Sequence, residues 1–261
     1  MIVGRLAAAV GGLLLAAGCA GGTRPTLPAG NGTPFPGFEA VYAEATAACR
    51  DTKSVGAELR LSGRAAGQRL RGTISADLLA PSSVRLVGVY LSRPIFYLVA
   101  RDADGTLLLP RDNRVVRNAP PADIIEALAG VALTPAELRA AIAGCALGAG
   151  KPSNGRMFSN DWAAVDVAGE TTYLRRVEGR WHVAGARRDP LTLLYADVEN
   201  GVASTIHVRM GTVSDITLRV SQLEINSDIP DNAFELKVPP DAIPLTLEEL
   251  RRAGPLGERT R

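Results

Sequence analysis

Few residues in this chain have the type and spacing that chemistry needs. The two histidines, His182 and His207, each sit on an expected strand between apolar neighbours, in no pattern that suits a metal or a general base. Asp102 and Asp104 could pass for a carboxylate pair, but Asp102-Ala103-Asp104-Gly105 reads more simply as a hairpin turn. No phosphate-cradling glycine loop, no G-x-S-x-G elbow and no C-x-x-C occurs. Neither catalysis nor a cofactor is therefore expected. What remains is thiol chemistry, at Cys19, Cys49 and Cys145.

Cys19 ends an amino-terminal pattern. Arg5 precedes an apolar run from Leu6 to Ala17, too short to span a bilayer, that closes in Leu15-Ala16-Ala17-Gly18-Cys19. A cysteine directly after small residues resembles the lipobox of bacterial lipoproteins, which implies a signal peptide over residues 1–18 and acylation of Cys19. The alternative is an ordinary signal peptide cut nearby. Each buried CH₂ adds roughly 0.8 kcal/mol to membrane association, so several acyl chains make a durable anchor. Ala20 stands where an aspartate is associated with inner-membrane retention, and this favours an outer-membrane location facing the periplasm. With Cys19 acylated, Cys49 and Cys145 are left in an oxidising compartment, each at the carboxyl end of an expected helix. They read as a disulfide; two buried free thiols are the alternative.

The elements that must position such a chain are mostly strands. At 46% apolar and 21% charged residues the composition allows one large core, and a net charge of +2 leaves no electrostatic footprint of a nucleic-acid binder. Residues 19–37, rich in glycine and proline, read as a flexible tether. Phe38, Val41, Tyr42, Ala45 and Cys49 share one face of a first helix that ends near Arg50. Alternating segments follow from Val55 to Leu61 and Leu70 to Leu78, then Val84 to Tyr90, Ile95 to Arg101, Thr106 to Leu109 and Arg114 to Arg117. Between Pro120 and Cys145 the apolar period changes to that of helices. Asp123 to Leu128 is stopped at Gly130, and Thr134-Pro135-Ala136-Glu137 is a capping box opening a second helix.

After a glycine-rich break at Gly148 to Gly155 the strands resume. Hairpins are expected at Glu178-Gly179 and Asn200-Gly201. A slip from even to odd positions between Val220 and Leu223 predicts a bulge. Phe234, Leu236 and Val238 read as a last strand, and Thr246 to Glu249 as a capping box with Leu245 and Leu250 as its staple. The fold class is thus mainly β (α+β): a curved antiparallel sheet, an incomplete β-barrel of about ten strands, with an N-terminal helix and a two-helix lid. One domain is expected over residues 38–254, with a loose tail at 255–261.

From Arg85 to Pro94, RLVGVYLSRP, through the hairpin Leu107 to Val116 and the stretch LAGVALTPAELRAAIAG at Leu128 to Gly144, the chain resembles the LolA/LolB-type lipoprotein carriers, the outer-membrane receptor LolB above all, and their mycobacterial lipid-carrier relatives. It departs from them in the loop, where Leu91 follows Tyr90 and precedes Ser92, and in the long tail from Leu245 to Arg261. The resemblance implies a hydrophobic cavity that takes up acyl chains of lipoproteins or of other envelope lipids, a periplasmic carrier protein as delivering partner, and a monomer. Dry strand faces carrying Leu59, Leu61, Leu70, Ile74, Leu86 and Tyr97 would line that cavity, with Ile124, Leu128, Leu138 and Ile142 closing over it. Val89, Tyr90 and Leu91 would form a loop that inserts into membranes; alternatively Tyr90 and Leu91 cover the barrel mouth. The bland reading of the whole is a structural envelope lipoprotein with a solid core and no cargo.

Overall fold

The structure is a computed structural model, and it describes residues 26–148, 150–199 and 202–253. Cys19 and the expected signal peptide, the Asn200-Gly201 turn and the expected loose tail lie outside the described residues.

Among the described residues one sheet of fifteen strands organises the chain, larger than the roughly ten strands expected. β1 (Thr33–Pro34) is one edge. Its neighbours in order are β8 (Pro152–Ser159), β9 (Trp162–Val167), β10 (Glu170–Val177), β11 (Arg180–Arg188), β12 (Leu191–Glu199), β13 (Val202–Met210) and β14 (Ser214–Ile225). β2 (Ser54–Ala65) pairs with β14 and leads into β3 (Gln68–Leu79), β4 (Ser83–Tyr90), β5 (Arg93–Arg101), β6 (Asp104–Leu109) and β7 (Arg114–Ala119). β15 (Ile243–Pro244) runs parallel to β7 at the other edge; all other pairs are antiparallel. The edges do not pair with each other, so the barrel stays open.

The helices are α1 (Phe38–Ala45), α2 (Ala47–Arg50), α3 (Pro121–Ala129), α4 (Pro135–Ile142) and α5 (Leu247–Ala253). The first expected helix is broken at Thr46, whose backbone N–H and hydroxyl both donate to the Tyr42 carbonyl, at 3.0 and 2.7 Å. α3 ends as expected, with Gly130 in the left-handed region at φ 69°. The capping box at the start of α4 is complete: the Glu137 N–H donates to Thr134 Oγ1 at 3.2 Å, and the Thr134 N–H donates to Glu137 Oε2 at 2.8 Å. A second box closes reciprocally between Thr246 and Glu249 at α5, with Leu245 and Leu250 both buried.

Three corrections follow from the sheet. β8 starts inside the expected glycine-rich break at Gly148 to Gly155, and β9 lies just beyond it, where no strand is expected. β8 opens with Pro152-Ser153-Asn154-Gly155, and β9 carries alanines on both faces, so neither shows clear alternation; Ala163, Ala164, Val165 and Val167 are nonetheless fully buried. Gly155 serves close approach, because a Cβ there would lie 2.1 Å from Phe38 Cβ at the start of α1. The segment read as tether is docked from Thr33, where β1 pairs with Arg156 and Met157 and the Phe35 N–H donates to the Gly155 carbonyl. The strand expected at Phe234 to Val238 is absent. Asp231–Phe234 is a single 3-10 turn beside β4 and β5, with Phe234 buried. Pro230 and Pro239-Pro240 flank its alternating apolar residues and lack the N–H donors that would extend a ladder past either end. The bulge expected near Val220 is present, as a register shift between Val220 and Gln222 against β2.

Candidate functional site

The core lies between the sheet and the lid helices, and it contains a small apolar gap. Leu59 and Leu61 of β2, Ile74 of β3, Leu86 of β4 and Phe96 of β5 form one wall, with Val208, Ile216 and Leu218 from β13 and β14 beside them. Ile125, Leu128 and Ala129 of α3, the connection at Val131 and Leu133, and Leu138 and Ile142 of α4 close it. Every lining residue is apolar. The volume is about 90 Å³. Ligand pockets run from roughly 300 Å³ upward, so the gap as it stands has no room for a long acyl chain.

Seven of the ten expected cavity and lid residues line this gap: Leu59, Leu61, Ile74, Leu86, Leu128, Leu138 and Ile142. Leu70 is buried in the same core but away from the gap. Ile124 is fully buried and turned toward β6, where its Cδ1 would lie 2.9 Å from a Cβ placed on Gly105. Tyr97 is on the opposite face. In β5 the buried core positions are Phe96, Leu98 and Ala100, and strand alternation puts Tyr97 on the other side. The run Ile95-Phe96-Tyr97-Leu98-Val99 is apolar throughout, so its own pattern could not fix the parity. The signal was in the partner strand: Phe96 pairs with Gly88, and a Cβ at Gly88 would meet the Phe96 ring at 2.1 Å. The glycine leaves the space that the aromatic ring fills.

The lid is held at several points. The Tyr195 hydroxyl, fully enclosed, donates to the Ala141 carbonyl at 2.9 Å and accepts from the Ala146 N–H at 3.1 Å. Burial, and to a lesser degree the nearby Glu170 carboxyl, push its ionisation above the ordinary phenol range, so it stays a donor. Glu137 is paired with Arg188 at the end of β11. Burial alone would raise the Glu137 pKa. Hydrogen bonds from Arg188 and from the backbone and hydroxyl of Thr134 outweigh it, and the carboxyl titrates below its usual range. Arg139 donates to the Pro81 carbonyl at 3.1 Å. Ser214 Oγ donates to the Ala129 carbonyl at 2.8 Å, and Arg251 of α5 pairs with Glu126 of α3 at 2.6 Å. α5 thus joins the lid, which was expected to have two helices only.

Behind α4 the chain turns through Cys145, which is joined to Cys49 with a Cα–Cα distance of 5.6 Å. A groove of about 780 Å³ runs alongside, walled by α1, α2, α4 and the segment entering β8. Glu170 of β10, only 4% exposed, accepts from the Gly148 N–H at 3.1 Å and from the Thr172 hydroxyl at 3.2 Å. Burial raises its pKa despite these bonds.

Leu91 stands apart from all of this. With Ser92 it forms the two-residue turn between β4 and β5, at φ 50° and 60°, and its side chain is 77% exposed. Val89 and Tyr90 are half-buried. Among the described residues no three His, Cys, Asp or Glu side chains come together in a way that could hold a metal ion. No helix among them is long and apolar enough to cross a membrane.

A mainly β protein with an open curved sheet and an apolar gap under a helical lid is the class that fold and site define. No family model matches the chain, and no curated protein matches it. Among solved structures it is similar to a LolA superfamily protein from Nitrosomonas europaea, at 9% identity over 76% of this chain and 96% of that one, TM-score 0.48. A DUF1329 family protein from Desulfovibrio piger is similar at 12% identity over 75% and 96%, TM-score 0.46. The lipoprotein LppX of Mycobacterium tuberculosis is similar at 13% identity over 75% and 98%, TM-score 0.34.

Proposed function

We propose that this protein is an envelope lipoprotein, anchored through Cys19 in the outer membrane, that takes acyl chains beneath its lid and passes them to a membrane, without chemistry of its own. The observation that carries the reading is the wholly apolar gap between the sheet and α3–α4, under a lid that polar latches hold. An acyl chain in water is driven into such a site by roughly 0.8 kcal/mol per buried CH₂. An acyl chain enters by displacing α3 and α4 and enlarging the 90 Å³ gap.

The Leu91 turn supports the delivery step. A leucine in the left-handed region costs about 1 kcal/mol, and an exposed one recovers nothing by burial. Beside a bilayer the same side chain has an apolar phase to enter. The small volume of the gap favours a second reading, a solid-core structural lipoprotein in which the lid never opens.

The experiment uses the full chain carrying Cys19→Ser, so that any lipid mass is non-covalent. Native mass spectrometry of freshly purified protein should show a bound lipid, and delipidated protein should take up a fluorescent fatty acid. If neither form carries or acquires lipid, the solid-core reading stands and the acyl-carrier reading falls.

A further inference from the structure

A second and larger cleft lies on the other side of the sheet, and its walls are cationic. Alternation along β2 turns Arg60 and Ser62 away from the buried Leu59 and Leu61. Arg60 pairs directly with Arg219 of β14, and Ser62 pairs with Arg71 of β3 on one side and Thr217 of β14 on the other. His207 of β13 pairs with Thr217, and their side chains meet at 3.1 Å. Facing them, Arg175 of β10 stacks 5.7 Å over the Trp162 ring and pairs with His182 of β11. Together these residues line a space of about 1070 Å³.

The charge there is not balanced within the protein. None of Arg60, Arg71, Arg175 and Arg219 forms an ion pair with a carboxylate among the described residues. Among the described residues Asp197 is the one acid lining the cleft, and it already accepts from the Thr205 hydroxyl at 2.9 Å. Like charges directly opposite on neighbouring strands, as at Arg60 and Arg219, work against the sheet. A fold gains nothing from gathering unpaired guanidiniums unless an anion comes to them.

We propose that this cleft is a phosphate-binding site. Guanidinium forks match the oxygens of a phosphate two at a time, and the hydroxyls of Ser62 and Thr217 add neutral donors. The phosphate is that of an anionic lipid headgroup or of a soluble phosphate ester. Register indicates the first. Thr73 pairs with Val89, so Arg71, two positions on, brings this wall to the end of the sheet from which the Leu91 turn projects. The site stands on its own residues and does not depend on acyl-chain uptake.

The test uses the full chain with Cys19→Ser, in flotation with vesicles of phosphatidylcholine alone or mixed with phosphatidylglycerol, and in calorimetric titration with inorganic pyrophosphate. Binding to the anionic vesicles but not to pyrophosphate assigns a headgroup; binding to pyrophosphate assigns a soluble ligand as well. In either case Arg60→Gln/Arg219→Gln should weaken binding roughly twenty-five-fold, at about fivefold per lost charge. Arg175→Gln, on the opposite wall, should weaken it about fivefold, with unchanged near-ultraviolet circular dichroism in both variants. No preference for anionic vesicles together with no heat from pyrophosphate overturns the proposal. So does binding that both variants leave intact. Lipid retention in the mass spectrum is a separate readout, so either proposal can fail while the other stands.

Discussion

The hydroxyl of Tyr195, on β12, donates to the carbonyl of Ala141 near the end of α4 and accepts from the N–H of Ala146 beyond it. One side chain from the sheet thereby ties both ends of the turn that closes the lid. Removing the hydroxyl leaves the buried Ala146 N–H without its partner, at about 1–3 kcal/mol, while the Ala141 carbonyl keeps the Gly144 N–H. Tyr195→Phe should lower the thermal midpoint and speed amide hydrogen exchange in α4 and the turn after it, while exchange in β2 and β3 stays slow. Uniform acceleration across the chain would mean that the bond serves global stability rather than the lid.

The Cys49–Cys145 bridge fixes the same turn from the other side, to the end of α2. It spans 96 positions, and closing a loop of that length removes about 4–5 kcal/mol of unfolded-state entropy in the chain-entropy model. Cys49→Ser/Cys145→Ser should therefore melt well below the parent, and the parent in reductant should fall to the same midpoint. A parent whose midpoint ignores reductant would contradict the bridge.

Glu170 makes stability depend on pH in a stated direction. Its carboxyl is raised, burial being the largest cause, so the folded protein keeps that proton to a higher pH than the unfolded chain does. Between the ordinary carboxylate range and the raised value the folded state binds more protons, and stability falls as pH rises through that window. Glu170→Gln keeps an acceptor for the Gly148 N–H and removes the charge. Midpoints measured against pH should then lose that decline. An unchanged profile would show that the Glu170 carboxyl titrates normally.

How much was legible in the residues depends on how cleanly each segment alternates. β2 and β3 carry arginines and serines between leucines, so their faces were plain. The Thr134–Glu137 box announced α4, and the parity slip at Val220 announced the bulge in β14. Tyr97 was misplaced because β5 is apolar on both faces, and only Gly88 across the ladder distinguishes them. β8 and β9 escaped notice because glycine, serine and alanine give no contrast between a buried and an exposed side. The arginine cleft was invisible for a different reason. Its four arginines come from β2, β3, β10 and β14, far apart in the chain, and in an arginine-rich composition none stands out alone.

Leu91 separates fold from function most directly. The turn it shares with Ser92 needs φ above zero at both positions, which glycine or asparagine adopts at little cost. Leu91→Gly should therefore raise stability by about 1 kcal/mol, because it relieves the left-handed leucine and gives up no burial. If the turn enters membranes, the same variant should slow transfer of bound lipid to acceptor vesicles. Leu91→Glu should slow it further while leaving lipid uptake intact. Gel filtration and circular dichroism would verify that both variants fold. A variant that becomes more stable and transfers lipid at the parent rate would reduce Leu91 to an accident of the hairpin. One that becomes less stable would show that the leucine packs against a neighbour, and the membrane role of the turn would fall with it.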